Sequence, residues 1–553
     1  QSFLLDPRNS KIKDYYKDIF EENGSKGFNT YLIKTRTHRA GSIKMLINNW
    51  GTIGITNPFV SPWDTENLYI KDECTGENAE TLEMPIGSEM IYLGASSIWF
   101  GGYLENKDVQ IGGVPAKLFD GPHVSTGNSL YLQTAPEILP TEFENDPEGW
   151  TLGNIYESSN IQGKLNCLFE SVYDPKATAY EQFTTMFTDK CTTQNAIDGW
   201  DETYHVALGI EIKQTSYAWP YEYAKKFIIF DYTFYNRNKD KRDIFDFFVG
   251  QVFNNSIYNK TNSNFYGGFY DDICGFIDKW DGYIDPATGQ IKTVDMNMVW
   301  AADNDGRSYF TNGNLMALIG EPGSGHILDG ATGVFSIRVL RNPNPNLRYS
   351  YNNWNGYYND GWAPKWKVGL HDDWQYDLTP EQRGYDDDNN ENLILPWDGE
   401  PLYCGRTTAY PLGDKGRYML MSNDEFDHNQ TAMREVYLGM DTQIDGTPIT
   451  QAGKWQPWIV SGTVPDGEYS NGSIGQFNDI ANGDKSAFLL GFGPLGYESY
   501  VDVAADRDFD GVPDDVIQGK KVWKFAYGDS LKLTLAIMVS DDFHTRLEQD
   551  PNY

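Results

Sequence analysis

Residues 204–253 constrain the fold more than any other stretch of the chain. Val206, Leu208, Ile210 and Ile212 alternate there with His205, Ala207, Gly209 and Glu211. A period of two is the mark of a half-buried strand. The run KFIIFDYTFY at 226–235 carries aromatic and β-branched residues on both faces and suits the middle of a sheet. IFDFFVGQVF follows at 244–253, after the polar turn NRNKDKRD at 236–243. The three runs read as an antiparallel meander.

More strands are expected on either side. NNWGTIGI at 48–55 reads as a turn and a strand, and the Gly-punctuated apolar stretch 84–102 as a buried hairpin. Residues 111–121, 273–281, 294–302, 333–341, 418–421, 487–493 and 531–539 read as further strands. Helix signal is confined to 11–21 and 180–191, and no repeat at solenoid or propeller spacing is present. The expected fold is all-β: antiparallel sandwich layers with long loop insertions and few short helices. At 553 residues the chain has room for two large β units. We place a β-rich N-terminal region at 1–195 and a larger sandwich unit at 196–553, with an aromatic, Asn-rich insertion at about 342–400.

Charge narrows the partners. The chain holds 44 Lys and Arg against 79 Asp and Glu, a net charge of −35. Such a surface repels nucleic acid and anionic membranes and supplies oxygen ligands to hard cations, chiefly calcium. No apolar run is long enough to span a membrane as a helix. The five cysteines, at 74, 167, 191, 274 and 404, contain no CxxC. Cys167 and Cys191 are expected as a disulfide pair, and the odd number leaves one thiol over. A first residue of Gln1 is what signal removal leaves in a mature secreted chain.

Several phrases fall in order along most of the chain: NNWGTIGI, YLGASSIWFGG, HVALGIEIKQTSYAWPYEYAKKFIIFDYTFYN, WAADNDG, GVFSIRVLRNPNP, YMLMSNDEFD and GDSLKLTLAIMVSDDFH. Together they resemble the large, uncharacterised secreted proteins of environmental bacteria, many of which carry C-terminal sorting regions for outer-membrane export. The resemblance implies export and a β-rich fold, and brings no catalytic residues with it.

The sharpest local motif is a calcium-type loop. Asp506, Asp508 and Asp510 have DxDxDG spacing, with Gly511 at the sharp turn. Val512 would offer a carbonyl oxygen, and Asp514 and Asp515 further carboxylates. The twelfth position, where a bidentate acid is expected, is Ile517. Asp303-Asn304-Asp305-Gly306 reads as a hairpin turn rather than a metal loop. The acidic run 386–391 reads as a solvated loop, and Asp271 and Asp272 as a strand-end cluster. The seven histidines include no HExxH, and neither GxSxG, P-loop nor Rossmann fingerprint is present. We therefore assign no catalytic residue and give His205 a structural role. In the insertion, Trp354, Tyr357, Trp362, Trp366 and Trp374 lie among Asn and Asp. That composition serves a subunit interface or packing loop, and it also serves sugar stacking. The sequence thus points first to a secreted, calcium-stabilised structural or surface protein. Such a protein would associate with itself or with other extracellular proteins as a fibre, layer or appendage. A carbohydrate-binding or glycan-active protein that uses the insertion is the alternative.

Overall fold

The computed structural model describes residues 34–54, 71–127, 137–141, 153–190, 197–198, 203–259, 272–303, 309–311, 314–316, 333–344, 346–355, 361–362, 391–394, 402–405, 413–422, 486–505 and 513–541. In chain order its main elements are β1 (Thr35–His38), β2 (Ala95–Ile111), β3 (Val114–Thr126), β4 (Glu181–Thr188), β5 (Ile210–Ala218), β6 (Phe227–Asn236), β7 (Ile244–Asn254), β8 (Asp272–Ile284), β9 (Ile291–Asp303), β10 (Val334–Arg341) and β11 (Arg348–Asn355). A helix, α1 (Gly413–Ser422), precedes β12 (Ser486–Leu495), β13 (Tyr497–Ala505), β14 (Asp515–Phe525) and β15 (Ser530–Ser540). The protein is all-β, as the periodicity implies.

Two nine-stranded sheets dominate. Sheet one runs β8-β9-β10-β15-β6-β5-β4, ends on the short strand Leu139–Pro140, and takes in Tyr156–Ser158 beside β4. Sheet two runs from Gly361–Trp362 through β11, β12, β7, β14, β13, β3 and β2 to Thr52–Gly54, and β7 also pairs directly with β2. The inner faces meet in one apolar cluster. Phe234 of β6 packs edge-on to Phe247 of β7, Phe253 of β7 lies against Phe335 of β10, and Phe276 of β8 stacks on Tyr351 of β11. A smaller five-stranded sheet, which includes β1, adds Met45, Leu82 and Leu93 to the same cluster. Both large sheets draw strands from either side of residue 195, and residues 191–196 lie outside the described ones.

The meander does not form as read. β5 and β6 pair, but the second neighbour of β6 is β15, about 300 residues on, and β7 crosses to sheet two. The burial patterns give the reason. β6 alternates strictly, with Ile228, Phe230, Tyr232 and Phe234 buried and their neighbours half-buried, so it has one core face. β7 is buried on both faces. Phe248 and Val252 turn away from the main core and pack on Leu420 and Met421 of α1. A strand with two apolar faces needs a cover on each, and the middle of sheet two under a helix supplies both.

Other expectations are corrected too. Residues 418–421 belong to α1 and not to a strand. The stretch EQFTTMFT within 180–191 is β4 and not a helix, because Phe183, Thr185 and Phe187 alternate onto the core face. Residues 84–102 do not fold into one hairpin: Met90–Leu93 belongs to the small sheet and β2 to sheet two. Gly94 stands at the crossing, where a Cβ would come within 2.6 Å of Ser256 Oγ. Cys167 is bonded to Cys74 and not to Cys191, with a Cα–Cα distance of 5.5 Å and a separation of 93 residues. The expected helix at 11–21 lies outside the described residues.

Candidate functional site

The calcium-type motif sits between two paired strands. Asp506, Asp508, Asp510 and Val512 lie outside the described residues, in the connection from β13 to β14. The ladder closes beneath it at Ala505 opposite Asp515. Asp514 is exposed, and Asp515 Oδ1 accepts the Val516 N–H at 2.7 Å. Ile517, at the twelfth position, is a strand residue opposite Val503.

The aromatic insertion divides. Its first part, Arg348–Asn355, is β11, and Tyr351 is buried in the core. Trp354 and Trp362 stand directly opposite each other in the pairing of β11 with Gly361–Trp362. Tyr357, Trp366 and Trp374 lie outside the described residues, as do Asn304, Asp305 and residues 386–390, while Glu391 opens a short strand opposite Gly405. Asp272 and Asp303 are both buried and face each other across β8 and β9, and Asp272 Oδ2 accepts the Ile257 N–H at 3.2 Å.

Two constellations of hydroxyl, imidazole and carboxylate escape any reading of spacing, because their members are far apart in sequence. In the first, His38 Nδ1 lies 2.9 Å from Glu181 Oε2 and His38 Nε2 lies 2.8 Å from Ser216 Oγ. This is the order of a nucleophile, its base and the acid that orients the base. Access is what it lacks. His38 and Ser216 have no solvent-accessible surface, and the His38 ring packs 4.3 Å from Phe183. Glu181 Oε2 also accepts the Arg39 N–H at 2.8 Å. The trio is a buried tie between β1, β4 and β5.

The second surrounds His205, which is buried 3.4 Å from Ser125 Oγ and 3.9 Å from Glu137 Oε1. The Ser125 hydroxyl donates instead to Asp189 Oδ2 at 2.8 Å. Asp189 also accepts the Leu208 and Ile210 N–H groups at 2.8 and 2.6 Å. Burial pushes the Asp189 carboxyl up, against these hydrogen bonds and the nearby His205. Arg417 of α1 lies 3.6 Å from Glu137, and Asp414 lies 3.6 Å from His123. Burial holds the His123 imidazole down although Asp120 stands 3.1 Å away. The network pins the helix to β3.

Glu73 groups with Cys74 and Cys167 at ligand distance from one another. Both sulfurs are spent in the disulfide and supply no thiolate, so the group does not suit a metal.

Among the described residues, exposed large apolar side chains are spread over the surface, and two segments carry several each. The hairpin of β8 and β9 outruns the sandwich, and its far end carries Trp280 (51% exposed), Ile284 (63%) and Ile291 (72%). Its turn is tied by the Gly289 N–H to the Asp285 carbonyl at 2.7 Å and by an ion pair between Lys292 and Asp285. A second projection, held by the disulfide, exposes Leu165, Leu168 and Phe169, the last at 84%. There Asn166 Oδ1 accepts the Leu168 and Glu170 N–H groups at 3.0 and 2.9 Å. Exposed apolar side chains gathered in one patch, unlike single ones, mark interaction surfaces.

No protein-family model matches the chain, and no curated protein matches it.

Proposed function

We propose that the protein is a secreted structural or surface protein that associates with further copies of itself outside the cell, with calcium bracing its acidic loops. The observation that carries this reading is the β8–β9 arm, where Trp280, Ile284 and Ile291 project on a hydrogen-bonded hairpin. Apolar contact is one that a chain of charge −35 can make with its own kind without bringing like charges together. Its charges would otherwise hold two copies apart. The disulfide between Cys74 and Cys167 favours an oxidising compartment. Calcium at Asp506, Asp508, Asp510, Val512, Asp514 and Asp515 would close the β13–β14 connection and lower the repulsion between copies. Sedimentation velocity of the full chain, in millimolar calcium and then in chelator, tests the reading. Association that grows with protein concentration and weakens on chelation is expected.

The insertion supports sugar binding as a second reading. Trp354 and Trp362 are register partners at the edge of sheet two, and aromatic residues are the ones that sugar rings stack on. A glycan array that loses its hits on Trp362→Ala would favour it.

A further inference from the structure

Over β5, β6, β15 and β10, the outer face of sheet one is charged in the opposite sense to the chain that carries it. Register fixes which residues share that face. Lys213 of β5, Thr233 of β6 and Lys532 of β15 stand side by side in one row. The next row holds Thr215, Asp231, Thr534 and Arg341. In it Arg341 Nη2 donates to Asp231 Oδ1 at 3.2 Å and Arg341 Nε to Thr534 Oγ1 at 3.1 Å. The row beyond holds Tyr217, Ile229, Ala536 and Arg338. Trp219 stacks on Tyr217, with ring centres 6.1 Å apart and planes 14° from parallel, and stands 6.2 Å from Phe227.

Across β5, β6, β15 and β10 this face presents Lys213, Lys532, Arg338 and Arg341 against Asp231 and Glu211, and Glu211 is paired with Lys190. Lys213 and Lys532 are exposed and form no ion pair with another described residue. A basic patch on a chain of net charge −35 attracts an anion locally while the rest of the surface repels it. Duplex DNA, with a charge every 1.7 Å or so, meets that repulsion along its whole length. A polymer with one carboxylate per sugar ring meets far less of it. The half-exposed rings beside the cations offer flat apolar faces, and the face of a sugar ring stacks on such a surface. Lys213 and Tyr217 are four residues apart on one strand, about 13 Å. A ligand that touches both is therefore a chain of several sugars.

We propose that this face binds an acidic polysaccharide, with its carboxylates at Lys213, Lys532 and Arg341 and its sugar rings against Tyr217, Trp219 and Phe227. The site is separate from the β8–β9 arm, so the inference goes beyond self-association. The test is biolayer interferometry of the full-length protein on immobilised polygalacturonate. A neutral hydroxyethylcellulose surface is the control, and an oligothymidylate the competitor. Binding that weakens with salt is expected on polygalacturonate alone. Lys213→Glu with Lys532→Glu should weaken it roughly tenfold or more, and Trp219→Ala should weaken it as well. An Ile284→Asp, Ile291→Asp variant of the arm should bind as the native chain does. The charged pair is exposed, so circular dichroism of the reversal variant should match the native protein. The proposal is overturned by equal binding to the neutral glucan, by undiminished binding of the reversal variant, by equal competition from the oligothymidylate, or by no binding to polygalacturonate.

Discussion

His38 and Glu181 set the chemistry of the molecule at the residue scale. Burial alone would raise the Glu181 carboxyl. The His38 hydrogen bond and charge, with Lys164 and the Arg39 N–H, outweigh it and hold the group below its ordinary value. An acid whose folded pKa is depressed lends stability that is complete above its unfolded pKa and is lost as pH falls through the folded one. Asp189 has the opposite sign. Burial raises it, so its contribution is complete below the ordinary Asp value and fades as pH rises through the raised one. A buried hydrogen-bonding group left without its partner costs about 1–3 kcal/mol. We expect that loss for His38→Ala in urea unfolding at neutral pH. Glu181→Gln should flatten the acid limb of stability against pH, and an unchanged limb would contradict the assignment. Ser216 is the other residue with a consequence. It has the geometry of a nucleophile without access, so a fluorophosphonate probe should leave the native protein unlabelled. Mass-spectrometric labelling at Ser216 would contradict a purely structural tie.

At the scale of elements, α1 and its glycine seat are the most exacting contact. A Cβ at Gly491 of β12 would fall on the Met421 carbonyl, whereas one at Gly250 of β7 would meet the Met421 side chain, with Sδ at 2.9 Å. Backbone cannot yield as a thioether can. Gly491→Ala is therefore expected to cost about 1–3 kcal/mol, and Gly250→Ala clearly less, by chemical denaturation. Equal costs would show that the helix slides freely. This seat also marks what a sequence does and does not disclose. The alternation of Ile228, Phe230, Tyr232 and Phe234 announces β6, and 531–539 announces β15, because each needs only its own residues. That the two are neighbours depends on contacts about 300 residues apart. The short apolar run at 418–421 fits strand and helix equally, and it is a helix whose Met421 lies close on Gly250 and Gly491 of sheet two. His38, Glu181 and Ser216 were illegible for the same reason, since no spacing joins positions on three strands. The DxDxDG spacing is a local pattern that a sequence displays directly, and Asp506, Asp508 and Asp510 lie outside the described residues.

At the scale of the whole molecule, two large sheets share one core while hairpins and the disulfide-tied projection extend from it. The sandwich accounts for stability, and we propose the arm for association and the basic face of sheet one for a ligand. Association through the arm is the central claim, and sedimentation velocity of the native chain beside Ile284→Asp, Ile291→Asp tests it most directly. The native chain should sediment as oligomers in millimolar calcium, partly dissociate in chelator, and give way to single chains in the variant. Native protein that sediments as single chains in both conditions, or a variant that associates as the native chain does, would contradict it.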